Sequence, residues 1–150
     1  MSPDIQLFGL NPLFWTPFKL PINSLNLLSL NQGLYYISNN YIQKVQISGV
    51  VVEVYTSHKY RYFTIDDTTS IIKCYAWEST EISVEPKIGD LVRITGRLQE
   101  FREEKTIAIL DLVIHQNFEF EFLWWLDLIE AQKEYAKIFE YPESDSYFSR

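Results

Sequence analysis

The sequence predicts an all-β core joined to a helix: a five-stranded Greek-key barrel over 44–116, an N-terminal arm over 1–43 and a long C-terminal helix over 117–141. Three observations predict it. Five runs with strand-like alternation lie between residues 45 and 115, separated by turn-forming residues. A longer polar connection over 78–88, containing Pro86, separates the third run from the fourth. Beyond residue 117 the apolar period changes from two to 3.6. The 150 residues, 47% of them hydrophobic, suffice for one compact domain with an appendage and need no covalent staple.

Taken in order, the arm holds four of the six prolines (Pro3, Pro12, Pro17 and Pro21) and reads as extended. Leu25, Leu28 and Leu30 suggest a short helix capped by Asn23 or Ser24. The first barrel run is Val45–Thr56. Val45 and Ile47 share one phase and Val50, Val52 and Val54 the other, which predicts a glycine bulge at Ser48-Gly49. Tyr60–Asp66 is the second run, and Asp66-Asp67-Thr68-Thr69 closes it with a turn whose aspartates bond local backbone amides. The remaining runs are Ser70–Trp77, Leu91–Phe101 (announced by Gly89-Asp90) and Lys105–His115, the last two joined by a charged hairpin at Arg102–Glu104. Five strands with a bulged first strand and a variable connection before the fourth are the layout of an OB-type barrel. A β-sandwich would ordinarily need more strands.

The helix carries two apolar stripes. Phe122, Trp125, Ile129, Ala136 and Phe139 form one; Trp124, Leu128, Ala131, Tyr135 and Ile138 form the other. Asp127, Glu130, Glu134 and Lys137 leave only a narrow polar strip. A helix lying on a barrel needs an apolar arc of about 100°, and this arc is roughly twice that. The excess faces either a partner or the apolar arm. Large exposed apolar patches are rare on isolated domains, and Trp and Tyr are favoured interface anchors. The expected partner-binding residues are therefore Phe122, Trp124, Trp125, Leu128, Ala131, Tyr135 and Ile138, with the choice of partner-facing stripe left open.

Composition narrows the function. The net charge of −7 argues against indiscriminate binding to nucleic acid, but it is unevenly placed. Residues 1–116 hold 12 acids and 10 bases, whereas 117–150 hold 8 acids and 3 bases. The body is thus near neutral and can present a local basic face. The single cysteine, Cys74, rules out an intrachain disulfide and suits a reducing compartment. No apolar run is long enough to span a membrane as a helix, and no secretory pattern opens the chain. His58, Cys74 and His115 lie singly, without paired metal-ligand spacing, so neither metal nor cofactor is expected. No phosphate loop, nucleophile elbow or helical metal motif occurs, and no enzymatic activity is expected.

Aromatics reach 16%, with 10 Tyr, 10 Phe and 4 Trp, more than a small core requires. Tyr60, Tyr62, Lys73, Tyr75 and Trp77 fall on the phase opposite Phe63, Ile65, Ile72 and Cys74. Arg93 and Arg97 share one phase of the fourth strand, and Phe101 and Lys105 flank the last hairpin. Rings that stack bases and cations that follow phosphates are what single-stranded nucleic acid needs. These nine residues are the candidate nucleic-acid face. The alternative is that Trp77 and Tyr75 plug a barrel mouth or pack the arm. Glu78, Glu100, Glu103 and Glu104 lie nearby, so the domain alone is expected to bind weakly.

The ordered set Val-Gln-Ile-Ser-Gly-Val-Val-Val (45–52), Tyr-Phe-Thr-Ile-Asp-Asp-Thr-Thr (62–69), Cys-Tyr-Ala-Trp (74–77) and Gly-Asp-Leu-Val-Arg-Ile-Thr-Gly-Arg-Leu (89–98) resembles one family. It is the OB fold of the middle subunit of replication protein A and of its telomeric relative, the Stn subunit of the CST telomere-capping complex. The resemblance covers about 44–140. The Pro-Leu-Phe-Trp opening at 12–15 resembles the start of the Stn subunit rather than a phosphorylatable Ser/Gly-rich tail. The resemblance implies base stacking by Trp77 and Phe101. It also implies a 1:1 heterodimer with a small OB-fold Ten-like subunit through the C-terminal helix, and capping of single-stranded telomeric DNA in the nucleus. A third telomere-binding subunit and polymerase α are further implied partners. Winged-helix modules are implied downstream, so the acidic stretch over 142–150 reads as a tail or the start of a linker. A replication protein A middle subunit, or a purely structural protein-interaction domain, are the competing functions.

Overall fold

The structure, a computed structural model, describes residues 16–37 and 40–138. Five strands close the barrel: β5 (Val45–Thr56), β6 (Tyr60–Asp66), β7 (Ile71–Trp77), β8 (Leu91–Phe101) and β9 (Glu104–His115). β5 pairs with β6, β6 with β7, β9 with β8, and β8 back with β5, all antiparallel, while β7 and β9 run parallel and complete the ring. This is the five-stranded OB topology that the spacing of the runs predicts. Val45, Ile47, Val51, Phe63, Ile65, Cys74, Val92, Ile94 and Ile107 fill the interior and have no solvent exposure. Burial pushes the Cys74 thiol well above its ordinary pKa, so it packs as a small apolar side chain.

The bulge in β5 is not at Ser48-Gly49. Val45, Ile47, Gly49 and Val51 keep one buried phase, and the register against β6 shifts between Val51 and Glu53. Val52 is the extra residue. Gly49 serves a different need: a Cβ there would lie 2.5 Å from the Asp66 carbonyl oxygen, so only glycine lets β5 approach β6 this closely.

The arm is more structured than an extended segment. β1 (Phe18–Lys19) adds to β5 in parallel. A 3-10 helix spans Ile22–Leu27 with Pro21 at its N-cap, two or three residues ahead of the predicted cap. Pro21 offers no capping side chain, and the task falls to the Asp66–Thr69 turn: the Ile22 N–H donates to Asp67 Oδ2 at 2.8 Å and the Asn23 N–H to Thr69 Oγ1 at 3.2 Å. Asp67 is buried, and its Oδ1 also accepts from the Thr69 N–H and Oγ1 and the Ser70 N–H. The predicted local role of this aspartate is thus extended to clasping the arm. A small antiparallel sheet follows, β2 (Ser29–Asn31), β3 (Leu34–Ile37) and β4 (Asn40–Ile42), unforeseen from sequence. Gln32 and Gly33, both at positive φ, form its first hairpin.

The final element is α1 (Glu119–Ile138). It packs against β1 and the start of β8 through Trp124, Leu128 and Tyr135.

Candidate nucleic-acid interface

The pairing of β6 with β7 fixes which rings share a face. Tyr60 lies opposite Trp77, Tyr62 opposite Tyr75, and Thr64 opposite Lys73. Directly opposed side chains project to the same side of a sheet. Phe63, Ile65 and Cys74, one residue out of phase, go to the interior. The exterior of β6 and β7 therefore carries a continuous set of aromatic rings. Tyr75 stacks on Trp77 with centroids 5.4 Å apart and planes at 15°. Phe101, at the end of β8, meets Tyr60, Tyr75 and Trp77 edge-on at 5.8, 5.0 and 5.3 Å. The predicted rings are all brought together.

Their roles differ. Tyr75 is only 4% exposed, the floor of the cluster beneath its neighbours. Burial raises its phenol pKa, with Lys73 opposing. Tyr60, Tyr62, Trp77 and Phe101 are half-buried, with edges or faces available. Lys73 places its ammonium 5.1 Å from the Tyr62 centroid and pairs with Glu104 at 3.4 Å. Partial burial lowers its pKa, but the hydrogen bond and charge of Glu104 outweigh this and the net shift is upward, so it remains a cation at neutral pH. Arg97 is exposed and lies opposite Ala108, which in turn lies beside Tyr75, so its guanidinium belongs to the same face.

Two predicted members do not belong. Lys105 donates to the Leu25 and Leu28 carbonyl oxygens at 3.0 and 3.4 Å and lies over the Tyr35 ring. It neutralises the C-terminal carbonyls of the 3-10 helix, a partner 80 residues away in sequence. Arg93 projects to the exterior but is covered by α1: its guanidinium is 4.9 Å from the Trp124 ring and 3.8 Å from Asp127. Arg93 fastens the helix rather than following a phosphate.

Two residues on the face escaped the sequence reading. Tyr55 on β5 lies opposite Tyr62 and stacks on it at 5.0 Å and 18°. Arg102, at positive φ in the last hairpin, lies over Phe101 at 5.1 Å. An extra residue at either position sends Tyr55 to the outside, and the register against β6 then sets it beside Tyr62.

The helix separates into two faces. Trp124 is 1% and Leu128 4% exposed; Ala131 is half-buried. Tyr135 packs on Phe18 at 5.0 Å, and its hydroxyl accepts from the Lys19 N–H at 2.9 Å. Trp124, Leu128 and Tyr135 are therefore home-facing, not partner-facing. Trp124 lies over the Arg93 guanidinium, and Tyr135 over Phe18 and the Lys19 amide. Phe122 (67% exposed), Ile129 (53%) and Leu126 point away, with half-buried Trp125 beside them. The side chains of Ala136 and Ile138, and residues 12–15 and 139–150, lie outside the described residues.

Among the described residues no three His, Cys, Asp or Glu side chains gather as a metal site, and no helix is long and apolar enough to cross a membrane. His115 stacks on Phe120 at 4.4 Å; burial and then the charge of Arg93 hold its pKa below the ordinary value.

Comparison with known proteins agrees with this geometry. Residues 45–115 match the family described as OB-fold nucleic acid binding domain. The CST complex subunit STN1 of Rattus norvegicus is 25% identical over 172 aligned residues, covering 90% of this chain and 41% of the relative. The chain spans less than half the length of such curated relatives. Among solved structures, the S. pombe Stn1-Ten1 complex superimposes with a TM-score of 0.72 at 18% identity, covering 83% of this chain and 95% of the other. A replication protein A heterotrimer bound to single-stranded DNA gives 0.65 at 14% identity, covering 75% and 92%. These structural likenesses establish the fold, and the sequence match adds descent: the chain is a homologue of the CST complex subunit STN1, with an OB-fold domain as its body.

Proposed function

We propose that this chain is a non-catalytic subunit of a nuclear telomere-capping assembly, pairing 1:1 with a Ten-like OB protein and holding single-stranded telomeric DNA on the exterior of β6 and β7. The observation that carries the DNA-binding part is the ring cluster of Tyr60, Tyr62, Trp77 and Phe101 on an OB barrel, flanked by Lys73 and Arg97. Rings on the outside of a sheet gain nothing from the core, and aromatic faces with nearby cations are suited to unpaired bases. The exposed stripe of Phe122, Leu126 and Ile129, with half-buried Trp125 beside it, supports the pairing, since an apolar helix face of this kind is an interface in waiting. Homology to STN1 supports the telomeric setting. Labour then divides as an arm over 1–43, a DNA-holding barrel over 44–116, a pairing helix over 117–141 and a tail or start of a linker over 142–150. A third telomere-binding subunit and polymerase α belong to the same reading.

Lys73 is partly engaged by Glu104, and Glu100 and Glu103 are close by in sequence, so the barrel alone binds weakly and the assembly supplies the rest. The test is titration of single-stranded telomeric DNA with the chain in complex with a Ten-like protein. Trp77→Ala should weaken binding by about 1–3 kcal/mol while leaving the complex assembled. Unchanged affinity in an intact complex would remove the stacking assignment and favour a purely structural role.

A further inference from the structure

We propose that Tyr55 and Tyr62 form a second base-stacking station for single-stranded nucleic acid, at the opposite end of the aromatic face from Trp77 and Phe101. The inference rests on the reading of that face as a single-strand-binding surface. Four rings succeed one another across three strands. Tyr55 and Tyr62 are 5.0 Å apart at 18°, Tyr62 and Tyr75 5.2 Å apart at 44°, and Tyr75 and Trp77 5.4 Å apart at 15°. The outer pairs are nearly parallel and the middle pair is tilted, so the row ends in two flat stacks.

Its centre is closed. Tyr75 is buried under Tyr60, Tyr62, Trp77 and Phe101, and a base cannot reach its face without displacing one of them. Bases can add to the half-buried rings around it and at the two ends. At one end stand Trp77 and Phe101. At the other, Tyr55 is 43% exposed, the most open ring of the set. The strand that carries it has already parted from its other neighbour: pairing of β5 with β8 ends at Val50 and Leu91, five residues before Tyr55. One face of the Tyr55 ring is covered by Tyr62, and the ring stands on a strand margin that β8 no longer flanks.

This end also has its own cation. The Lys73 ammonium sits 5.1 Å from the Tyr62 centroid, held by the exposed carboxylate of Glu104. A phosphate linking bases at the two stations can displace that carboxylate, because an exposed pair of this kind is weakly held. Stacking tolerates any base, so the second station lengthens the site without adding sequence preference.

The experiment is a fluorescence anisotropy titration of oligothymidylates, from about four nucleotides upward through the range that one OB barrel covers. The folded chain is compared with Tyr55→Ala, Tyr55→Phe and Trp77→Ala, with circular dichroism and thermal melting confirming that each variant folds. Tyr55→Ala should bind the shortest oligomers like the parent and lose about 5- to 100-fold on the longer ones, as removal of one base stack does. Tyr55→Phe should bind every length like the parent, and Trp77→Ala should weaken every length. A Tyr55→Ala variant matching the parent at every length, or weakened equally at all lengths, would overturn the second station. If Trp77→Ala also has no effect at any length, the single-strand reading itself fails, and the inference with it.

Discussion

Trp124 and Trp125 are adjacent in sequence, yet Trp124 is buried on the inner face of α1 and Trp125 is half-buried at the margin of the outer one. The inner face sets Trp124 under the Arg93 guanidinium, and it seats Leu128 and Tyr135 against the arm and barrel. The outer face presents Phe122, Leu126 and Ile129 with nothing over them among the described residues. Both faces are comparably apolar, so hydrophobicity alone does not assign them. What distinguishes them is a small set of polar tethers: Asp127 reaches Lys19 at 3.7 Å and Arg93 at 3.8 Å, and the Tyr135 hydroxyl accepts the Lys19 amide. The tethers fix the rotation of the helix, and the second apolar stripe is left outward.

The sharpest way to break this comparison is to remove the inner anchor. Trp124→Ala should cost about 3–5 kcal/mol of unfolding free energy by chemical denaturation, because it opens a cavity and leaves Arg93 without its ring. A loss below about 1 kcal/mol would mean that the helix is not docked as described. A smaller effect is expected from Tyr135→Phe, which keeps the ring on Phe18 but leaves the Lys19 N–H without its acceptor. About 1 kcal/mol is expected, with faster amide exchange at Lys19 as the specific sign.

The smallest effect is pH-dependent. His115, the last residue of β9, stacks on Phe120 of α1 with its pKa lowered in the fold, so the unfolded chain binds its proton more readily. Its neutral form stabilises the fold fully above the ordinary histidine range, and that contribution falls as pH drops through about 6.5 and below. His115→Gln should flatten the acid side of the stability profile over that interval. An unaltered profile would remove His115 from the account of helix docking.

Local pattern and distant contact explain what was legible in the sequence. The limits of β5, β6 and β8 follow from period-two alternation and turn residues, both local properties, and they coincide with the runs read from sequence. The rings of β6 and β7 follow from the same alternation. The bulge was misplaced because Gly49 looks like a bulge glycine, while its actual constraint, the Asp66 carbonyl, belongs to another strand. Tyr55 faces outward with the bulge at either position, but the ring it stacks on, Tyr62, belongs to another strand, and that pairing is not a local property. Lys105 and Arg93 were assigned to the nucleic-acid face because a cation beside aromatics looks available. Their destinations are set by Leu25, Leu28, Trp124 and Asp127, none of which is near in sequence. The sheet over 29–42 has strands of three or four residues, too short to leave a readable period.

The central claim is that the chain's own fold uses one face of α1 and leaves the other for a partner. The most direct measurement is light-scattering mass of the Phe122→Asp, Ile129→Asp double variant, alone and mixed with a Ten-like OB protein, beside a thermal melt. The account predicts a variant that melts like the parent and stays monomeric in the mixture where the parent forms a 1:1 complex, because hot-spot losses of about 2 kcal/mol or more each would dissolve it. A double variant that still forms the 1:1 complex at parental affinity would contradict it.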